Sequence, residues 1–414
     1  MLHRLRLTTA GESHGPGLTA ILEGLPAGLR VDFELAARDL QRRQHGYGRG
    51  RRMQIEHDRA EIRGGVRNGE TLGSPLALWI ENSDWPNWQR AMAADPAEFD
   101  AAFAELRRLQ SPRPGHVDLA GGIKYLRRDL RDLLERASAR ESAARVAAGA
   151  FAKMILAALG VEIRSGVRSL GPLGADRPVP DWQEMLGVEE ESPLRAIDHD
   201  LEPAMVELVD QAKAQGDTLG GSVTVIAHGV PVGLGSHVQW FEKLDGRIAQ
   251  AMLSIPAIKG IEIGAAVAAA RHPGSEAHDP ILYNPERGFH RPTNRAGGLE
   301  GGITTGEPLV LRAAMKPIST TLTPLRSVDL ATGAAALARY ERSDFCAVPR
   351  AVVIGEAMVA WVLADALLEK LGGDSVEEQR PRFAALRQSR LENLPMDNAA
   401  WQFGYEAERE TSDE

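Results

Sequence analysis

The sequence predicts an α+β protein: a single large domain, a β-α-β sandwich with an internal pseudo-twofold duplication and its sheets and helices packed in layers. Three observations lead there. Strand-like runs and helix-like stretches are interspersed along 414 residues, of which 43% are hydrophobic and 25% charged, the balance of a globular chain with a large core. A first echo links Thr19-x-Ile21-x-x-Gly24-x-Pro26-x-Gly28-Leu29 to Thr224-x-Ile226-x-x-Gly229-x-Pro231-x-Gly233-Leu234, each residue 205 positions later. A second links Gly64-Gly65-Val66-x-x-Gly69-Glu70 with Pro75-Leu76-x-Leu78 to Gly301-Gly302-Ile303-x-x-Gly306-Glu307 with Pro308-Leu309-x-Leu311, offset by 237 positions at the glycines and 233 at the proline. Two echoes in one order at similar spacing point to an ancient duplication.

Taken in order, residues 5–9 read as a strand entering the turn Gly11-Glu12-Ser13-His14-Gly15-Pro16-Gly17, and residues 18–23 as a strand leaving it. Asp32 caps a helix over 33–43 with Leu35, Ala36 and Leu40 on one face, which the run from Gly46 to Gly50 breaks. Strands follow at 60–62 and 75–80, then a proline-containing excursion over 85–114 with one short helix. Residues 129–160 predict a long helix broken near Ser138, with Ala143, Ala147, Phe151 and Met154 on its apolar face. Beyond it come a strand over 161–170, a loop over 172–180, a helix over 198–215, a strand over 222–227, a helix over 244–254 and a strand over 308–314. A late helix over 356–371 stops at Gly372-Gly373, and an arginine-rich helix covers 376–391. The tail from about residue 395 is acidic at its end and is expected to be peripheral.

A single cysteine, Cys346, excludes an internal disulfide framework and suits a reducing compartment. Residues 1–9 have no apolar core of signal-peptide type, and the apolar stretch 143–159 carries Arg145 and Lys153, which argues against a membrane span. The expected location is the cytoplasm. The net charge of −9 excludes nucleic-acid or anionic-membrane binding by global field, yet Arg38, Arg42, Arg43, Arg49, Arg51 and Arg52 crowd around one acid, Asp39. Such a segment suits a small anion held by guanidinium forks, or a solvated basic face; an RNA-binding arm with Tyr47 as stacking residue is the alternative.

The first turn places a carboxylate, a hydroxyl and an imidazole on consecutive residues among glycines. Gly11-x-Ser13-x-Gly15 matches a nucleophile elbow, but that device needs a helix after the serine, and here a strand follows. Arg113-Pro114-Gly115-His116 repeats the chemistry of that turn, a histidine at a Pro-Gly bend beside an arginine and before Asp118, and two such histidines suit acid–base work. Arg136-Ala137-Ser138-Ala139-Arg140-Glu141 combines a capping-box spacing from Ser138 to Glu141 with two arginines at a helix start, a site for phosphate. The loop Asn294–Gly302 suits close backbone approach to a ligand, and Lys316-Pro317-Ile318-Ser319-Thr320 and Arg342-Ser343-Asp344 add cations and hydroxyls. No HExxH or CxxC spacing occurs, so no metal is predicted.

In unbroken order, GESHG, RRQHGYGRGRRM, NGETLGSPLAL, RPGHVD, ERASARESAARVAAGA, DTLGGSV, GLGSH, AIKGIEIG, NRAGGLEGGITTGEPL, AAMKPIST and RSDFCAVPR resemble the chorismate synthase family over about residues 1–372. The resemblance implies a catalytic domain over 1–372, followed by a helical extension and tail over 373–414. It implies an anti-1,4 elimination of phosphate from 5-enolpyruvylshikimate 3-phosphate, with reduced FMN required though the reaction has no net redox change. By the same resemblance His14 keeps the reduced flavin correctly protonated and His116 assists departure of phosphate. Asp344, with Ser13 and Ser138, helps the flavin accept the C6 proton. Flavin contacts fall on Arg136, Ala137, Ser138, Pro256, Ala257, Gly301, Lys316, Pro317, Ile318, Ser319, Thr320 and Arg342, and pyridine-nucleotide or anion contacts on Arg43 and Arg49. NADPH enters as an indirect reductant, and the assembly implied is a homotetramer without nucleic acid or membrane. Three positions depart from the family pattern: Ala137 stands for a serine, Pro256 for an amide side chain and Gln44 for a third arginine.

Overall fold

The computed structural model describes residues 4–49 and 58–395. Strand β1 (Arg6–Ala10) pairs antiparallel with β2 (Gly17–Glu23), and Asp32 starts helix α1 (Phe33–Gln44) by accepting the Leu35 N–H at 2.9 Å. Strand β3 (Ala60–Gly64), the two-residue strands β4 (Val66–Arg67) and β5 (Glu70–Thr71), and β6 (Leu76–Glu81) follow. The sheet order is β1-β2-β6-β3, antiparallel throughout. Period-2 alternation sends Leu18, Ala20 and Leu22 of β2 and Leu76, Leu78 and Ile80 of β6 into the core.

The excursion contains two short helices where one was expected, α2 (Trp85–Met92) and α3 (Ala101–Glu105), and it continues into an unexpected α4 (Asp118–Tyr125). Two glycines inside α4, Gly121 and Gly122, hid it from a propensity reading; they are needed because a Cβ on either would meet Leu133 or Leu130. Helix α5 (Arg131–Ala137) ends at Ser138 as anticipated, and a 3₁₀ turn (Ala139–Glu141) leads into α6 (Ser142–Ala158).

The second half repeats the plan. It comprises β7 (Glu162–Leu170), α7 (Trp182–Leu186), α8 (Glu202–Gln215), β8 (Gly221–His228), α9 (Leu244–Leu253) and β9 (Ile258–Ile263), a strand not foreseen. Short helices α10 (Ala266–Ala269) and α11 (Gly274–Ala277) and the hairpin β10 (Leu282–Asn284)–β11 (Gly288–His290) lead to β12 (Leu299–Glu300), β13 (Ile303–Thr304) and β14 (Leu309–Met315). The second sheet has the order β7-β8-β14-β9, the counterpart of the first. A hairpin of β15 (Arg326–Val328) and β16 (Ala335–Leu337) precedes α12 (Val348–Leu371) and α13 (Val376–Ala384). Helix α12 starts eight residues before the expected 356, because Pro349 lies in its first turn, where no backbone donor is needed. Helix α13 stops short of 391, with Pro381 interrupting its hydrogen-bond ladder.

The duplication is visible in register and in single hydrogen bonds. Leu22 faces Leu76 in the first sheet and Ala227 faces Leu309 in the second, the pairing expected if both echoes are real. Thr71 Oγ1 donates to the Pro26 carbonyl at 2.5 Å and accepts the Leu29 N–H at 3.0 Å; Thr304 Oγ1 does the same to Pro231 and Leu234 at 2.6 and 2.8 Å. The second echo aligns differently from its sequence match. Val66 faces Thr71 as Leu299 faces Thr304, so Gly65 corresponds to Gly298 at the same 233-residue offset as the prolines, with no shortened turn. Asn68 and Gly69, at φ 52° and 77°, correspond to Gly301 and Gly302, at φ 61° and 89°: both are two-residue hairpin turns that need left-handed backbone.

Helix α6 packs on β2 and β6, α12 packs on β7 and β8, and the two helices pack on each other with α1 and α9 alongside, so a helical layer lies between the sheets. At the crossing a Cβ on Gly149 would lie 2.4 Å from Ala357 Cβ, so glycine allows the close approach. Helix α12 is apolar and long enough to cross a membrane, but it is buried in this layer. Its Glu356 accepts from Arg42 of α1 at 2.8 and 2.9 Å, from Lys153 of α6 at 2.5 Å and from Ser165 of β7 at 2.6 Å. Burial alone would raise the Glu356 pKa, but Arg42 and Lys153 hold it far below its ordinary 4.5.

The extension described to residue 395 is a strap along the core. Near its start, Ala27 N–H donates to the Asp374 carbonyl at 2.8 Å and Val376 N–H to the Ala27 carbonyl at 3.0 Å. Farther on, Phe289 N–H donates to Ser389 at 2.7 Å, beside Val232, the duplicate of Ala27.

Two outcomes follow for stability. Gly149→Val forces the crossing apart and lowers unfolding free energy by about 1–3 kcal/mol or more in denaturant titration. For Glu356, whose folded pKa is depressed, the charged network contributes fully above about pH 4.5 and is lost as pH falls below it. Glu356→Gln is therefore less stable than wild type at pH 7, and the gap in urea midpoints narrows in acid.

Candidate active site

Equivalent ends of the two halves meet at one end of the sandwich. There the β1–β2 turn, the start of α4, the α5–α6 junction, the segment after α9, the segment after β14 and the segment before α12 enclose a cavity of about 330 Å³. The first turn joins two antiparallel strands, with no helix after Ser13, so the elbow reading falls on geometry. Buried Asn82, just past β6, pins the turn by donating to the Ser13 and Gly15 carbonyls at 2.9 and 2.8 Å.

His14 is buried at the cavity wall. Its Nδ1 lies 2.9 and 3.0 Å from the two oxygens of Glu135, its backbone N–H donates to Glu135 Oε2 at 2.8 Å, and Ser13 N–H donates to the Glu135 carbonyl at 2.9 Å. Arg131, one turn earlier on α5, braces Glu135 at 3.3 Å and reaches Glu341, also in the cavity wall, at 2.9 Å. Burial pushes the Glu135 pKa up, but the hydrogen bonds and charge of His14, helped by Arg131, outweigh this and hold the carboxyl ionised below its usual range. The Trp88 ring stacks on His14 at 3.9 Å and is held by Asp84 at 3.2 Å, which also accepts from Arg342 at 3.1 Å.

The second histidine is built on the same plan. His116 Nδ1 lies 2.5 Å from Asp118 Oδ1, and Arg113 binds Asp118 through Nε at 2.8 Å and Nη2 at 3.0 Å. Asp118 is buried, which opposes ionisation, yet His116 and Arg113 hold its pKa far below the ordinary carboxylate value. Lys316 Nζ donates to the Gly115 carbonyl at 2.9 Å, tying this turn to the end of β14; burial and neighbouring Lys259 lower the Lys316 pKa. One cavity thus holds two histidines, each on a buried carboxylate braced by an arginine.

Of the expected site residues, Ser13, His14, His116, Ala137, Ser138, Pro256, Ala257, Lys316, Ile318, Ser319, Thr320 and Arg342 line this cavity. Others lie outside its lining. Buried Arg43 binds Asp58 at 3.0 Å and Ser142 at 3.0 Å, and Arg49 pairs with Asp344 at 3.2 Å, which also meets Arg350 at 2.9 Å. These arginines brace carboxylates and helix starts rather than converging on one open anion site; Arg51 and Arg52 fall outside the described residues. Arg136 turns to the Thr9 and Gly11 carbonyls, and Pro317 sits between lining residues. Gly301 occupies the β12–β13 turn, where the Gly302 carbonyl accepts the Leu244 N–H at the start of α9, whereas Pro256 lies past the other end of that helix. The expected capping box does not form: Ser138 caps the 3₁₀ turn through Arg140 N–H, while Glu141 bonds Thr9 and Arg145.

Sequence reasoning missed Asn82, Trp88, Arg131, Glu135 and Glu341. The Arg131–Glu135 spacing on one helix face was a usable signal; Trp88, in an excursion without periodicity, offered none.

This fold and cavity have the makings of an enzyme site for a small anionic ligand: two histidines oriented by carboxylates, a pairing suited to acid–base chemistry, with Arg113, Lys316 and Arg342 supplying positive charge. The comparisons give the class a name. The chorismate synthase family profile matches residues 5–368. Chorismate synthase of Moorella thermoacetica is 57% identical over 384 residues, 93% of this chain and 98% of the relative. That of Brevibacillus brevis is 52% identical over 374 residues, 90% and 96% of the two chains. A crystal structure of chorismate synthase superposes with a TM-score of 0.73 at 44% identity, covering 93% of this chain and 97% of the other. The chain belongs to the chorismate synthase family. It is a carbon–oxygen lyase that eliminates phosphate from 5-enolpyruvylshikimate 3-phosphate to form chorismate, the last step of the shikimate pathway.

Asn82→Ala leaves two buried carbonyls of the His14 turn without their donor. The expected result is a stability loss of about 1–3 kcal/mol and a lower kcat, read by thermal unfolding and a turnover assay on the same sample.

Proposed function

We propose that the cavity binds reduced flavin mononucleotide together with the phosphorylated substrate, and that His14 and His116 carry the proton transfers of the elimination. The observation that carries this reading is the pair of carboxylate-backed histidines in one cavity with Arg113, Lys316 and Arg342. The donor set suits both ligands. Backbone at Ala137–Ala139 and Pro256–Ala257 can approach a flat ring system, and Lys316, Ser319, Thr320 and Arg342 offer donors to a phosphate and to carboxylates. When bound, the reduced flavin supplies an electron-rich surface for a reaction without net redox change.

The residues of the chain do the remaining work. His116, with Asp118 fixing its Nδ1 side, donates from its other nitrogen to the departing phosphate. Arg113 and Lys316 stabilise the charge that grows on that leaving group. His14 holds a proton at the flavin and keeps it in the reactive ionisation state, and the cavity wall around Ser13 and Ser138 orients the ligand. Asp344, paired with Arg49 and Arg350 next to Ser343 of the lining, would assist transfer of the proton from C6 to the bound flavin. NADPH is the indirect source of the reducing electrons. We further assign the chain to the cytoplasm, on its one buried cysteine, and to a homotetramer, for which exposed apolar side chains such as Leu126 and Trp240 offer contact surface.

An anaerobic assay with purified protein, 5-enolpyruvylshikimate 3-phosphate and photoreduced FMN is expected to yield chorismate; no product would sink the flavin reading. His14→Ala and His116→Ala are each expected to lower kcat by about 10²-fold or more while flavin binding, read by fluorescence quenching, persists. Wild-type rates in both would remove the roles assigned to them.

A further inference from the structure

We infer that Glu135 is a positioning residue for His14, fixing the imidazole in the tautomer that carries its proton on Nδ1 and turns Nε2 to the bound ligands. The inference rests on the reading of His14 as an acid–base group. An ionised carboxylate only accepts hydrogen bonds, so a Glu135 oxygen 2.9 Å from Nδ1 requires N–H there; in the neutral ring Nε2 is then the acceptor. The Glu135 side chain is 1% exposed, and no rotation into water competes with this contact.

Three features bear on this role. Glu135 holds the first turn twice, its carbonyl accepting the Ser13 N–H at 2.9 Å and its carboxylate the His14 N–H at 2.8 Å, so the group that orients the imidazole is itself fixed against the turn that carries it. Trp88 covers one face of the imidazole, and the guanidinium groups of Arg131 and Arg107 lie 4.9 and 5.0 Å from the indole centre, so the ring against which His14 stacks is itself held in place. His116 and Asp118 repeat the arrangement in the same cavity, each carboxylate braced by an arginine. The described charged groups around His14 include Glu135, Glu341 and Asp84 with Arg131, Arg113, Lys316 and Arg342.

The direct test is the nitrogen spectrum of His14 in the full-length protein. With ¹⁵N-labelled histidine above the ring's titration, Nδ1 is expected to read as protonated and Nε2 as unprotonated; the reverse would overturn the inference. Glu135→Gln is expected to lower kcat about tenfold or more, and to move the His14-dependent limb of the pH–rate profile toward acid with KM little changed, a split that the accompanying loss of stability from the buried Arg131 pair does not produce. Glu135→Asp, which keeps the charge, restores part of the loss. Combined with His14→Ala, Glu135→Gln adds no further loss, because both act through one ring. A wild-type kcat and profile in Glu135→Gln, or full additivity in the double variant, would overturn the inference while leaving His14 in place. Wild-type turnover in His14→Ala would instead overturn the underlying reading and this inference with it.

Discussion

The close crossing of α6 and α12 is the constraint on which the rest of the architecture depends. Gly149 lets the two backbones approach, and Glu356 then gathers Arg42 and Lys153 from two other helices into one buried network. A buried carboxylate with both partners in place is tolerated because each charge is hydrogen-bonded, and removing one partner would strand the others. The crossing fixes how the two sheets face each other. It also brings the segments that precede α6 and α12 to the same end of the molecule, where Ser138 and Ser343 both line the cavity. The site is therefore a product of the helical layer rather than of any one loop.

The duplication explains the frame but not the chemistry. Strand order, register and the Thr71 and Thr304 hydrogen bonds are common to both halves. The loops at the cavity end are not. In the first half β1 and β2 are joined by a tight turn that carries His14; in the second, the equivalent connection spans residues 171–220 and contains α7 and α8. Both histidines come from the first half, while the second supplies Pro256, Ala257 and the stretch from Lys316 to Thr320. At the opposite end the C-terminal strap hydrogen-bonds the first duplicated turn at Ala27 and the β10–β11 hairpin at Phe289, and passes beside Val232 of the second.

Charge is distributed in a way that net counts obscure. The arginine-rich segment before residue 50 looks like a site for an external anion, yet Arg42, Arg43 and Arg49 are committed to Glu356, Asp58 and Asp344. The guanidinium fork serves internal carboxylates as well as phosphates, and burial decides which. The cations of the cavity come from Arg113, Lys316 and Arg342, scattered over more than two hundred residues of sequence.

Local rules sufficed for what is local. The alternation in β2 and β6, the Asp32 cap, the break at Ser138 and the glycine turns around His14 and His116 were all legible in the sequence, because each rests on neighbours a few residues apart. The repeated motifs likewise disclosed two related halves, and their order disclosed the family. Tertiary structure decided what distant partners settle: the glycine-bearing α4 against Leu130 and Leu133, and the true alignment of Gly65 with Gly298. It also decided which carboxylate stands behind each histidine. For His116 the partner is two residues away, within reach of a sequence reading. For His14 it is Glu135, 121 residues on, and only the packing of α5 against the first turn brings them together.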